Sequence, residues 1–145
     1  MEKRTQSVAG IVDVLREGGF RATSGRIELL SLLAKIGTPL SVQKIAELWN
    51  GKPPDVTTLY RSLTDLSSAG IVRRVDLNTG IAHFEYTPNR PHHHHIVCRM
   101  CGKVEELTHC AIGGLEKKII KESTHFKSIH THSLEFFGQC IACTH

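Results

Sequence analysis

Two C-x-x-C pairs constrain this chain more than any other feature: Cys98-Arg99-Met100-Cys101 and Cys140-Ile141-Ala142-Cys143, with residues 102–139 between them. Four thiolates supplied as two such pairs fit one tetrahedral zinc ion, which ties the two segments together. A redox dithiol comes as a single pair at the start of a helix, so the doubled pair points to a structural metal. With four protein ligands the ion has no open position and does no catalysis. Cys110 is left over and reads as a buried or half-exposed thiol.

The metal-binding residue types are confined to one end of the chain. All ten histidines and all five cysteines lie at or after His83. Two halves with different chemistry therefore join near residue 87, giving residues 1–86 as one domain, 87–91 as a hinge and 92–145 as a second domain. A hydrophobic content of 40% is enough for packed cores. No apolar run is long enough to span a bilayer and no signal-type segment follows the N-terminus, which predicts a cytoplasmic protein without a membrane partner. The net charge of +4 favours a polyanionic partner, although charge alone does not identify one.

Periodicity and capping residues give the first half four helices. Val8, Ile11, Val12 and Leu15 share helical spacing before Gly18-Gly19. Thr23 caps a second run carrying Ile27, Leu30 and Leu33, with Leu29 and Leu32 widening the apolar face. Ser41 caps a third helix through Ile45, Leu48 and Trp49. Asp55 caps a fourth, from Val56 to about Ala69, which buries Leu59, Leu63 and Leu66. Its first turn offers Thr57, Thr58, Tyr60 and Arg61, side chains suited to phosphates and base edges. Two β-like runs follow at 71–76 and 81–86, joined by the turn Leu77-Asn78-Thr79-Gly80. Helices followed by a hairpin is the order of a winged helix-turn-helix. The fold class is therefore α+β: a winged-helix DNA-binding domain followed by a small α/β domain with a structural zinc.

His92-His93-His94-His95 lies three residues before Cys98, away from either terminus. If this segment leads into a strand, alternation sends His93 and His95 to one side and His92 and His94 to the other, so one run can feed two metal sites. Glu85, Glu105 and Glu106 are candidate oxygen ligands. His130 and His132 fall on one face of a strand-like run at 128–137. Neutral imidazoles with carboxylates suit zinc or ferrous iron. His109, His125 and His145 read as solvated side chains. A zinc hydrolase using Glu105 or Glu106 as base would need an open coordination position and a substrate-holding motif, and the sequence carries no such motif. This excludes an enzyme acting on a small organic substrate. A metal store built on the histidine run would not need the reader helix.

From about residue 11 to Cys143 the sequence resembles the ferric uptake regulator family. The resemblance rests on Arg21-Ala22-Thr23-Ser24-Gly25-Arg26, Thr57-Thr58-Leu59-Tyr60-Arg61-Ser62-Leu63, Ala69-Gly70-Ile71-Val72 and His83-Phe84-Glu85. It continues through the histidine run into Ile96-Val97-Cys98, then Cys101-Gly102-Lys103-Val104-Glu105-Glu106, and ends with 132–140, His-Ser-Leu-Glu-Phe-Phe-Gly-Gln-Cys. It implies a homodimeric, metal-dependent repressor that binds AT-rich promoter palindromes when loaded with a sensory divalent metal. Tyr60 and Arg61 would read the major groove and Arg21 the minor groove. Glu85, His93, His95 and Glu106 would form the sensory site, taking Fe2+ or Zn2+, with Mn2+ a further candidate. His92, His94 and His132 would form a second site in the dimerisation domain. Two positions depart from the family: its DNA-binding-domain histidine has no counterpart in Thr38-Pro39-Leu40-Ser41, and its usual acidic fourth ligand of the second site falls near Gly113. Glu106 stands where the peroxide-sensing branch carries aspartate.

Overall fold

Capping side chains set the helices of the N-terminal part. Ser7, Thr23, Ser41 and Asp55 each accept a hydrogen bond from the backbone N–H three residues on, at 3.2, 3.4, 3.2 and 2.9 Å respectively. Each satisfies one of the donors that a helix start leaves without an intrahelical partner. The helices that follow are α1 (Val8–Glu17), α2 (Ser24–Ile36), α3 (Val42–Leu48) and α4 (Val56–Ser68). Gly37 ends α2 in the left-handed region at φ 74°, which a side-chain-bearing residue adopts only with strain. Ile11 and Leu15 of α1, Leu29, Leu30 and Leu33 of α2, Ile45 of α3, and Leu59, Leu63 and Leu66 of α4 are essentially inaccessible and form one core.

The hairpin closes that core. Strands β2 (Val72–Asp76) and β3 (Ala82–Tyr86) pair antiparallel, with Val72 opposite Tyr86 and Arg73 opposite Glu85. Their turn uses positive φ at Asn78 and Gly80, and the Asn78 N–H donates to the Asp76 carboxylate at 2.8 Å. A two-residue strand β1 (Leu40–Ser41), absent from the sequence reading, pairs with β3, so the sheet order is β1-β3-β2. It is too short to show alternation, which is why the sequence did not reveal it.

The computed structural model describes residues 6–110 and 112–144, and its contacts divide into two units, Met1–Arg90 and Pro91–His145. The second unit contains β4 (His94–Cys98), β5 (Val104–Leu107), α5 (Gly113–Glu122), β6 (Glu135–Gly138) and a short 3-10 turn at Ile141–Cys143. The sheet order is β5-β4-β6, with β4 antiparallel to β5 and parallel to β6. A parallel pair needs a crossover, and the segment carrying α5 supplies it. Helix α5 was not foreseen from the sequence. The expected strand at 128–137 is regular only from Glu135. In the parallel register Glu135 lies opposite His95, and β4 begins one residue earlier, so the chain before Glu135 has almost no partner backbone to pair with.

The two units differ sharply in apolar burial. Among the described residues of the second, Val97 and Cys98 are the only buried apolar side chains, and α5 buries none. The first unit therefore stands on its own core. Leu63→Ala should cost it about 2–5 kcal/mol, the range for emptying a fully buried leucine site. Urea unfolding followed by far-UV circular dichroism reads this as a lowered midpoint, and an unchanged midpoint would contradict the core assignment.

Candidate metal centres and nucleic-acid interface

Four sulfurs converge where β4 and β6 end. Cys98 closes β4, and the chain turns back through Gly102, whose N–H donates to the Cys98 carbonyl at 2.9 Å with φ at 73°. Cys140 follows β6, and its N–H donates to Cys98 Sγ at 3.3 Å. The 3-10 turn brings Cys143 back, its N–H donating to the Cys140 carbonyl at 2.9 Å. Ligand atoms of Cys98, Cys101, Cys140 and Cys143 all lie within 4.8 Å of one another, and Cys101 Sγ is 3.7 Å from Cys140 Sγ. Tetrahedral zinc with Zn–S bonds near 2.3 Å needs S···S edges of about 3.8 Å, so the thiols fit that ion.

The electrostatics of the thiols agree with this fit. Backbone N–H groups of Cys101 and Cys140 point at the Cys98 sulfur and draw its pKa down to about 6, which favours the thiolate. Cys143 accepts the opposite role: hydrogen bonding to the sulfurs of Cys140 and Cys101 pushes it up to about 12. A divalent cation removes this conflict by letting all four ionise.

The histidine run leads into β4 and divides its side chains between two sides. His92 and His94 meet His132 on one face. His92 Nε2 is 3.1 Å from His94 Nε2 and 2.9 Å from His132 Nε2, and His94 and His132 Nε2 are 3.2 Å apart. Cys110 Sγ joins them at 3.2 Å from His94 Nε2 and 3.5 Å from His132 Nε2. This is the residue that sequence reasoning had left over. His130, read with His132 on one strand face, instead bonds Ser128 Oγ at 3.2 Å at the surface and takes no part in the cluster. His109 and His125 are also exposed, and His145 lies outside the described residues.

On the other face, the rings of His93 and His95 lie edge to face with centroids 5.1 Å apart. His93 Nδ1 donates to the Pro91 carbonyl at 2.8 Å, and His95 Nδ1 donates to Glu135 Oε2 at 3.0 Å. Glu135 also accepts the His95 backbone N–H at 3.1 Å. With Nδ1 donating to an oxygen acceptor, a neutral ring carries its lone pair on Nε2, the nitrogen a metal would take. Glu106 stands opposite His95 on β5 and shares its face, while Glu105 stands opposite Ile96 on the other. Sequence reasoning missed Glu135 because its only signal is the β4–β6 register.

In the first unit, Glu85 is wholly buried on β3. Its Oε1 accepts from Arg73 Nε at 2.8 Å and its Oε2 lies 3.5 Å from Arg90 Nη1. Arg90 also donates from Nη2 to the Gly37 carbonyl at 2.9 Å, which anchors it to the end of α2.

The start of α4 presents Thr57, Thr58 and Arg61 to solvent. Thr58 already donates its hydroxyl to Asp55 Oδ2 at 2.7 Å, so what it offers a ligand is acceptor capacity. That bond, with the Thr58 backbone N–H, holds the Asp55 carboxyl below its usual pKa. Tyr60 is half-buried, packed edge-on against Phe84 with centroids 6.4 Å apart. Arg21 is exposed before α2. These side chains fit contacts to a nucleic-acid backbone and to base edges.

The chain is similar to known proteins along most of its length. The family pattern described as "Ferric uptake regulator family" matches residues 17–137. The ferric uptake regulation protein of Neisseria gonorrhoeae is 35% identical over 132 residues, covering 89% of this chain and 90% of that protein. The crystal structure of the Vibrio cholerae ferric uptake regulator superimposes with a TM-score of 0.73 at 28% identity, over 89% of this chain and 98% of that one. A structure of the ferric uptake regulator from Francisella tularensis with iron gives 0.71 at 29%, over 86% and 95%.

The thiol geometry generates a direct test. Cys101→Ser should leave one tightly held zinc ion fewer per chain, counted by elemental analysis after gel filtration in the presence of a mild chelator. Near-unchanged zinc content would show that the four sulfurs do not share an ion.

Proposed function

The chain belongs to the ferric uptake regulator family, and from that membership and the donor chemistry of each unit we propose how it couples metal to DNA. It is a metal-responsive DNA-binding transcriptional regulator and not an enzyme. No helix among the described residues is long and apolar enough to cross a membrane. We place its action in the cytoplasm, as a homodimer that represses by binding promoter palindromes.

The dimer follows from the poverty of the second unit's core. Helix α5 buries no side chain and exposes Leu115 and Ile119, four residues apart and therefore on one face. Phe136 and Phe137 of β6 are exposed as well. A second copy of this unit offers the same surfaces, the self-complementarity that a two-fold interface requires.

The sensory site is assigned to His93, His95 and Glu106 of the second unit and Glu85 of the first, with Fe2+ or Zn2+ as the sensed ion and Mn2+ as an alternative. The observation that carries it is the commitment of Nδ1 in both His93 and His95 to an oxygen acceptor, which turns Nε2 of each ring into the nitrogen a cation would take. The bound cation supplies a common ligand-acceptor for groups on both sides of residues 87–91. Ligands drawn from both units restrict the orientations the two can take, and a restriction favouring the DNA-binding arrangement shifts the population toward it. Glu85, held by Arg73 and Arg90, is the ligand the first unit contributes, whereas the second site is drawn from the second unit alone and lacks this lever. The structural zinc is assigned to Cys98, Cys101, Cys140 and Cys143. The readers of DNA are Arg61, Tyr60, Thr57 and Thr58 of α4, with Arg21 in the minor groove.

Two measurements test these roles. A His93→Ala, His95→Ala double variant should keep its thiol-bound zinc and its dimer but lose metal-activated operator binding, whereas the His92→Ala, His94→Ala variant should retain most of it. The reverse result would pass the signal through the second site and refute the assignment. Arg61→Ala should weaken specific operator binding by about 1–3 kcal/mol with metal content intact. For Tyr60 the informative change is Tyr60→Phe, which keeps the packing against Phe84 while deleting the hydroxyl, and a fluorescence-anisotropy titration on operator and scrambled DNA separates base reading from general affinity.

A further inference from the structure

The side of the histidine run that carries His92 and His94 holds more than the family's second site implies. Three imidazole nitrogens and one sulfur point at a common centre, with N···N separations of 2.9, 3.1 and 3.2 Å and N···S separations of 3.2 and 3.5 Å. Hydrogen bonding does not account for the contact between His94 and His132. His94 Nδ1 lies 3.0 Å from the Leu134 carbonyl, which can only accept, so Nδ1 carries the proton and Nε2 is bare. His132 Nδ1 lies 2.6 Å from Glu116 Oε1 and is a donor for the same reason. Two lone pairs thus face each other across 3.2 Å with no proton between them. Tetrahedral zinc calls for N···N edges of about 3.3 Å and N···S edges of about 3.6 Å, given Zn–N near 2.0–2.1 Å and Zn–S near 2.3 Å.

We propose that His92, His94, His132 and Cys110 form a four-coordinate, zinc-selective site in which the Cys110 thiolate replaces the family's carboxylate ligand. This rests on the reading of His92, His94 and His132 as the second metal site and adds its fourth donor and its preference. The carboxylate that the family places near Gly113 is missing here, and the next acid on α5, Glu116, does something else: it holds His132 from behind through Nδ1. Glu116 is therefore a positioning residue of the carboxylate–histidine–metal kind. Exchanging a carboxylate for a thiolate softens the donor set, moving preference away from ferrous and manganous ions toward zinc. All four ligands lie in the second unit, so filling the site makes no demand on the first.

Cobalt reports the thiolate directly. The whole 145-residue chain, its thiol-bound zinc counted before and after, is titrated with Co2+ and followed in the visible and near-ultraviolet. Since the sensory residues include no cysteine, a sulfur-to-cobalt charge-transfer band that grows while the zinc stays in place identifies Cys110. Cys110→Ser should abolish the band. Glu116→Gln should keep it while weakening uptake by roughly 10–100-fold, the usual cost of losing such a partner. Protection of Cys110 from alkylation by added Zn2+ in the unaltered chain gives the same reading without a substitution. If cobalt uptake depends on His132 but no sulfur band appears and alkylation is unprotected, the thiolate ligand is overturned while the histidine site stands. If His132→Ala leaves metal uptake unchanged, both fall.

Discussion

What most distinguishes the second unit is that metal-binding side chains converge in it while few apolar ones are buried. Val97 and Cys98 are its only buried apolar side chains among the described residues, far short of a core that could offset the ordering of its chain. What it has instead is polar side chains converging in sets: four sulfurs at the ends of β4 and β6, and three imidazoles with a sulfur on one face of β4. In small domains of this kind the metal's binding free energy is folding free energy. The position of the thiol cluster follows from the topology. β4 ends at Cys98 with β6 running parallel beside it, and the chain after β6 returns Cys140 and Cys143 to the same end.

The imidazoles are prepared by their other nitrogens. His93, His94, His95 and His132 each commit Nδ1 to an acceptor, the Pro91 and Leu134 carbonyls and the Glu135 and Glu116 carboxylates respectively. Each of these bonds orients its ring and places the proton on Nδ1, so Nε2 is the nitrogen that would meet an ion. Strand alternation then divides the run, and the two faces have different neighbours. His95 sits between Glu106 on β5 and Glu135 on β6, which suits a hard or borderline cation, while His94 faces Cys110.

The first unit was legible because each of its helices carries both a cap and a periodic apolar stripe. Ser7, Thr23, Ser41 and Asp55 mark helix starts to within a residue, and Asn78 with Gly80 marks the hairpin turn. In the second unit, α5 escaped notice because it begins at Gly113-Gly114 without a side-chain cap and its leucine and isoleucines cover no core of its own. The strand expected at 128–137 was overextended because alternation in sequence does not reveal how long the partner strand is. Cys110, Glu116 and Glu135 could not be placed from spacing, since they reach the histidines only through the crossover and the parallel register. The thiol pairs were recognisable at once because their spacing is itself the geometric requirement.

The account holds that metal and DNA act on one equilibrium, and thermodynamics then requires their effects to be equal. The measurement is the affinity of the zinc-stapled protein for the sensed divalent ion, determined with and without saturating operator DNA, beside the affinity for that DNA with and without the ion. The account predicts the same factor in both directions, and typical coupling free energies of about 1–3 kcal/mol place it at roughly 5–150-fold. A DNA affinity that is indifferent to the ion, together with an ion affinity that is indifferent to DNA, would contradict it.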